Sequence, residues 1–315
     1  MRRTASPFSL ILLGLGAFLL ALAPLLTWYV GPEAKKTPLD TDITTVFNGT
    51  GTYFDAQAVK PRHDQRLTIT RQVRGDVADG DASGNAVWDV STSVDSDSSL
   101  PASDPRDALQ WTTERWVTNR KTNMPVHCCQ EKPRFEGEAY LKFPFDVEER
   151  SYRWWDSTLG ATVELDYSGR KKVQGFEGMR FTGKVKAAKT GTRLVPGKLV
   201  GVDKSQVLAE EWYANHGIEL IADPATGRIL YAAVGPRKTL RAPGSDKDAM
   251  VLLDSKKIAF TEKTQRAQVK LADRDSGKLK TLTSTAPMGA GAAGAVLLLT
   301  GGVFVVRGQR TREIS

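Results

Sequence analysis

Two adjacent cysteines, Cys128 and Cys129, carry the most distinctive chemistry in this 315-residue chain. No other cysteine occurs, so a bridge within one molecule can close only between these neighbours. A trans peptide holds their Cα atoms ~3.8 Å apart, short of the usual disulfide window of about 4.4–6.8 Å. A vicinal bridge is therefore a strained eight-membered ring; free thiols and intermolecular pairing are the alternatives, and an oxidising compartment favours the bridge. His127 invites a metal, yet three consecutive residues cannot wrap a tetrahedral ion without outside ligands. His63 and His216 fall in no His-Glu-x-x-His spacing, and no G-x-S-x-G elbow or phosphate-cradling glycine loop occurs. Asp76, Asp79 and Asp81 lack the spacing and closing Glu of a calcium loop and read as a solvated acidic turn. No catalytic, cofactor or metal site is expected, and no enzyme.

Downstream lies an aromatic run, Tyr140-Leu141-Lys142-Phe143-Pro144-Phe145-Asp146, then Tyr152-Arg153-Trp154-Trp155-Asp156. Such density either fills a core or lines an apolar cavity, and Phe143, Phe145, Tyr152, Trp154 and Trp155 are the candidate lining. Pro144 removes a ladder donor, so this stretch reads as an edge strand or an extended crossover.

The elements that must position these residues are strands. Leu67-Thr68-Ile69-Thr70, Val163-Glu164-Leu165-Asp166-Tyr167 and Met179-Arg180-Phe181-Thr182 alternate apolar with polar, separated by turns such as Ser168-Gly169. Short alternating strands with frequent turns predict an antiparallel sheet. Asp76–Ser99 reads as a polar loop around one strand, Ala86–Val90. The segments 38–60 and 187–205 are assigned no definite element.

A turn motif recurs: Asn119 through Val126 aligns with Asp223 through Leu230. In each, Asn or Asp opens the turn and Asn123 or Gly227 takes the left-handed position. Trp116 and Trp212 lie upstream of the two turns. Two related halves, about 38–160 and 161–260, would explain the match; chance similarity of common turn residues is the rival. After them Thr261 caps a helix with Ser276-Gly277 as its stop, a juxtamembrane stalk over 261–276.

The chain is uncharged from Thr4 to Pro32 and again from Thr281 to Val306. Residues 7–30 are long enough to span the roughly 20-residue hydrocarbon slab, with Trp28-Tyr29 at its boundary. A cleaved signal is the alternative, but the apolar run continues past Ala21-Leu22-Ala23 and Pro24 follows. Residues 286–306 form a second span rich in Gly and Ala, with small-xxx-small spacing at Ala290 and Gly294 that could pair copies into a homo-oligomer. Head 1–6 and basic tail 307–315 are expected in the cytoplasm, with domain 31–281 outside the cell membrane. The fold expected is thus mainly β, membrane-anchored by α-helices at both ends.

The formal net charge is +8. Five of the arginines flank the apolar ends, and in the middle basic residues are interleaved with acids. No nucleic-acid partner is expected.

An N-terminal anchor, Val126-His127-Cys128-Cys129, Lys142-Phe143-Pro144-Phe145-Asp146, Tyr152-Arg153-Trp154-Trp155-Asp156 and a C-terminal anchor together resemble an actinobacterial envelope family. It is catalogued as the porin PorA family and elsewhere as a domain of unknown function. The likeness covers nearly the whole chain and implies a porin; no catalytic residues come with it. Three roles are therefore carried forward: binding or transfer of a lipid or other hydrophobic envelope component, pore formation, and an envelope scaffold with a protein partner. Membrane lipids are the partner expected in all three.

Overall fold

The computed structural model describes residues 7–97 and 108–313. It divides into two compact units, one of the terminal segments 1–36 and 274–315 and the other of residues 37–273.

The larger unit is a single ten-stranded sheet, every pairing antiparallel. Its strands are β1 Asp42–Asp55, β2 Lys60–Gly75, β3 Ala86–Ser96, β4 Gln110–Thr118, β5 Tyr152–Asp156, β6 Ala161–Val173, β7 Phe176–Val195, β8 Val207–Ala222, β9 Ile229–Arg241 and β10 Met250–Phe260. They lie in the order β4-β3-β2-β1-β10-β9-β8-β7-β6-β5. Two meanders are therefore joined by the first and last strands, Phe47 opposite Phe260. The three alternating segments read from the sequence all fall in strands. The two unassigned stretches became β1 and the distal part of β7, whose register shifts at bulges near Thr50, Val185 and Lys189 break a strict period of two.

The sheet curls into a half-barrel. Gln110 on edge strand β4 accepts a hydrogen bond from Lys238 on β9, five strands away in sheet order. Tyr213 on β8 donates to Asp156 at the end of edge strand β5, 2.9 Å. The concave face holds the main core, including Leu67, Trp116, Phe181 and Ile258, each at most 2% exposed. Burial of such side chains, about 1.5–3 kcal/mol each, is what favours curling the sheet on itself.

Over its described part, residues 76–97, the stretch Asp76–Ser99 is not a loop around a short strand; Ser98 and Ser99 lie outside the described residues. Helix α3, Val77–Ser83 (the third in chain order, after α1 and α2 below), starts where Asp76 accepts from the Asp79 amide, 3.1 Å, and stops at Gly84 in the left-handed conformation. β3 then runs on to Ser96. The acidic turn is also not simply solvated, because Asp76 and Asp79 both bind Arg115. β5 and β6 pair across position 160, so the two candidate halves meet within one sheet.

Thr261 does cap the stalk helix: its hydroxyl accepts from the Thr264 amide, 3.2 Å. That helix, α4 Glu262–Lys280, does not stop at Ser276-Gly277, because Gly277 stays helical instead of turning left-handed. Its first turn docks on β1, where the Thr264 hydroxyl accepts from the Val46 amide and donates to the Val46 carbonyl, both 3.1 Å. Ala272 and Val269 cover an outer apolar cluster of Val173, Ile221 and Leu230.

The terminal unit contains α1 Pro7–Leu25, a π-turn Leu26–Val30 and α2 Gly31–Ala34, then a π-turn Thr281–Thr285 and α5 Ala286–Glu313. Both helical runs, Pro7–Ala34 and Glu262–Arg307, contain stretches long and apolar enough to cross a membrane. They pack antiparallel, with the Phe8 and Phe304 rings 6.1 Å apart and Gly31 against Thr283. A Cβ on Gly16 would lie 2.8 Å from Leu298 Cγ, and one on Gly294 2.9 Å from the Gly16 carbonyl oxygen. The small residues thus bring two backbones of the same chain into contact.

Candidate functional site

Between β4 and β5 the chain takes 33 residues, 119–151, to cross from one sheet edge to the other. This crossover is the extended path that Pro144 suggested. It pairs briefly with both edges, Lys132 with Arg115, Pro125 with Thr118 and Ala139 with Trp154. Both edges of the half-barrel are thereby tied to one irregular segment.

Two turns hold it, and they are the two that align in sequence. Asn119 Oδ1 accepts from the amides of Lys121 and Thr122, at 2.9 and 3.1 Å. Asp223 accepts from Ala225 and Thr226, at 3.1 and 3.2 Å. Asn123 and Gly227 are both left-handed, φ 62° and 71°, and their amides bond back to the carbonyls of Asn119 and Asp223, 2.9 Å each. The crossover runs between the turns. Asn123 Nδ2 donates to the carbonyls of Glu138 and Lys142, and the Phe143 amide donates to the Gly227 carbonyl, 2.8 Å.

That grip places Phe143 in the concave face. Its ring stacks on Phe181 with centroids 4.6 Å apart and meets Tyr152 at 5.2 Å and Trp154 at 5.7 Å. Trp155 packs on Phe135 instead, 5.4 Å, and its buried indole nitrogen has no hydrogen-bond partner among the described residues. Of the five aromatic residues singled out from the sequence, four are buried. Phe145 is half-buried and apart from them, its ring 3.9 Å from the Lys142 ammonium.

Cys128 and Cys129 are bridged to each other, with Cα atoms 3.8 Å apart. Cys129 and Gln130 are both left-handed, φ 56° and 61°, costly for residues with a Cβ. Arg115 holds the strained segment: its Nε donates to the Cys129 carbonyl, 2.8 Å, while its other nitrogens bind Asp76, Asp79 and Asp89. Burial disfavours the charged guanidinium, but the three carboxylates outweigh it and raise its pKa. Arg74, Asp89, Arg115, Gln130 and Lys132 line a cleft of about 450 Å³. The His127 ring bonds Glu131, 2.8 Å, and among the described residues no group of three His, Cys, Asp or Glu side chains gathers as a metal site would require.

Sequence reading missed two partly buried lysines. Burial lowers the Lys142 ammonium to about 7, helped by Arg228 and opposed by Asp223. Its Nζ reaches Thr37 Oγ1 at 3.4 Å. Lys238 sits at the other end of the concave face, lowered to about 8 by burial against the pull of Glu211 and Asp156. Nearby Tyr213 is raised by burial and by Asp156. The available signal for Lys142 was an ammonium set inside an aromatic run.

The arrangement covers and grips an aromatic surface. Compared with known families, residues 8–303 match the model described as Porin PorA. No curated protein matches the chain.

Proposed function

The chain belongs to the porin PorA family, and from that membership we propose that it works as a membrane-anchored envelope protein whose curled sheet binds a hydrophobic envelope component. The supporting observation is the contrast between the two faces of the sheet. The concave face is aromatic and covered by a crossover held largely by turns. The outer face carries charge, for example Lys171 and Arg180 paired with Glu219, which unsettles any strand-built span through hydrocarbon. The apolar helices serve as the anchor; their antiparallel packing fits both ends on the cytoplasmic side, with the sheet outside.

The experiment is lipid extraction and mass spectrometry of the full-length protein purified from its native membrane. A defined lipid at near-stoichiometric amount, lost on Phe143→Ala with the fold retained, supports the reading. Protein free of lipid, or lipid retained equally by the variant, overturns it.

Pore formation is the second reading, favoured by the family description. Neither span carries a charge between Pro7 and Val30 or between Ala286 and Val306, so water-filled conduction would need several copies around a common axis. Discrete conductance steps from the purified protein in planar bilayers would support it; silence across lipid compositions would count against it.

A further inference from the structure

The hairpin of β7 and β8 combines a basic stretch with exposed apolar side chains and a tightly built tip. Residues 184–206 hold six basic side chains, Lys184, Lys186, Lys189, Arg193, Lys198 and Lys204, against one acid, Asp203. Strand β2 is likewise basic, with Lys60, Arg62, Arg66, Arg71 and Arg74 against Asp64 alone. Lys189 and Arg193 are paired with Glu210 and Glu211. The other four lysines are exposed and make no ion pair among the described residues.

Two leucines stand among them. Leu194 and Leu208 face each other across the hairpin and are 61% and 54% exposed, while the next residues, Val195 and Ala209, are buried. The connecting loop is firmly built. Its 3₁₀ turn Gly197–Val200 closes with Val202 amide to Gly197 carbonyl, 2.9 Å, and Val200 packs on Val195 and Ala209. A Cβ on Gly197 would come within 2.3 Å of the Lys204 carbonyl oxygen, so the loop is folded tightly back on itself. β7 pairs with β6 only as far as Thr182, so among the described residues its outer edge has no ladder partner over the lysine-bearing stretch. The tip lies beside the start of β10, at the end of the sheet opposite Asp42 and Phe260, where the unit's chain begins and ends its strands.

Lysines on an open edge also discourage strand pairing. That role does not call for exposed leucines at the tip. Lys198 and Lys204 stand in the loop that joins the strands just beyond Leu194 and Leu208, and apolar side chains beside unpaired cations are the pattern that binds an anionic bilayer: leucines enter the headgroup boundary and ammonium groups meet lipid phosphates. We propose that the β7–β8 tip is a docking surface for an anionic lipid bilayer, independent of what the concave face holds.

The test uses the full chain in nanodiscs of phosphatidylcholine, mixed with phosphatidylcholine vesicles with or without phosphatidylglycerol, and measures co-flotation. Binding should require phosphatidylglycerol and weaken with salt. At about 5-fold per lysine, Lys198→Gln/Lys204→Gln should lose roughly 25-fold, and Lys184→Gln/Lys186→Gln, remote from the tip, far less. Leu194→Ser/Leu208→Ser, with its lysines intact and an unchanged thermal midpoint, should lose roughly 10-fold. Three results overturn the proposal: no binding to anionic vesicles, binding untouched by the leucine variant, or inorganic polyphosphate competing equally well against wild type and leucine variant. The last would mark a receptor for soluble polyanions.

Discussion

The turns at 119–124 and 223–228 share a hydrogen-bond scheme residue for residue, yet the chain leaves them differently. After Gly227 it enters β9 and pairs for thirteen residues. After Asn123 it makes a single bridge at Pro125, bonds the Val126 amide to Val117, and then departs as the crossover. What differs is downstream. Ile229 and its successors are apolar or alternate, whereas Pro125 lacks a donor and Cys129-Gln130 adopt left-handed backbone that no strand continues. A turn fixes where a chain reverses; the residues after it decide whether a strand results.

The sharpest way to break the comparison is at the left-handed position. A Cβ at Gly227 would fall 2.1 Å from the Phe143 carbonyl oxygen at φ 71°, so Gly227→Ala should cost about 3 kcal/mol or more in urea unfolding and loosen the crossover. The next effect concerns the opening residue. Asp223 is 1% exposed, so Asp223→Ala should cost about 2 kcal/mol, against about 1 for the exposed Asn119→Ala. Equal losses would mean that the two turns contribute alike despite their different burial. At the first left-handed position, Asn123→Gly keeps the backbone but removes the bonds to Glu138 and Lys142, a loss of about 1 kcal/mol by thermal melting. No loss would show that the second turn alone holds the crossover.

The smallest expected effect is a pH dependence. The Lys142 pKa is depressed in the fold, so between about 7 and 10.5 the unfolded chain binds more protons and stability rises with pH. Lys142→Met removes that contribution. Its thermal midpoint should exceed wild type most at pH 6.5, with the gap narrowing by pH 9.5. A gap that widened with pH would reverse the sign and exclude burial as the cause.

Much of the fold was legible in local pattern. Val163-Glu164-Leu165 and Phe181-Thr182 alternate because one sheet face is buried, and the two apolar ends stand out by the absence of charge. The matched turns were visible as Asn119 and Asp223 because side-chain capping is a local interaction. The closure of β1 on β10 was not, since nothing near Phe47 points to Phe260. Lys142 and Lys238 were equally hidden, because an exposed lysine and a buried one look alike until the chain around them is folded. Gly277 misled for a related reason: it ends a helix only where the backbone turns left-handed, and here it does not.

The seam where Phe47 meets Phe260 also sets a schedule. A ribosome delivers β1 some two hundred residues before its second neighbour exists, so that strand must wait with one flank bare while eight others are made. Synthesis of this protein therefore has to shelter a half-finished sheet until nearly the last of it has been made, and a chain cut short before residue 250 should emerge with β1 ready to stick to whatever strand it meets.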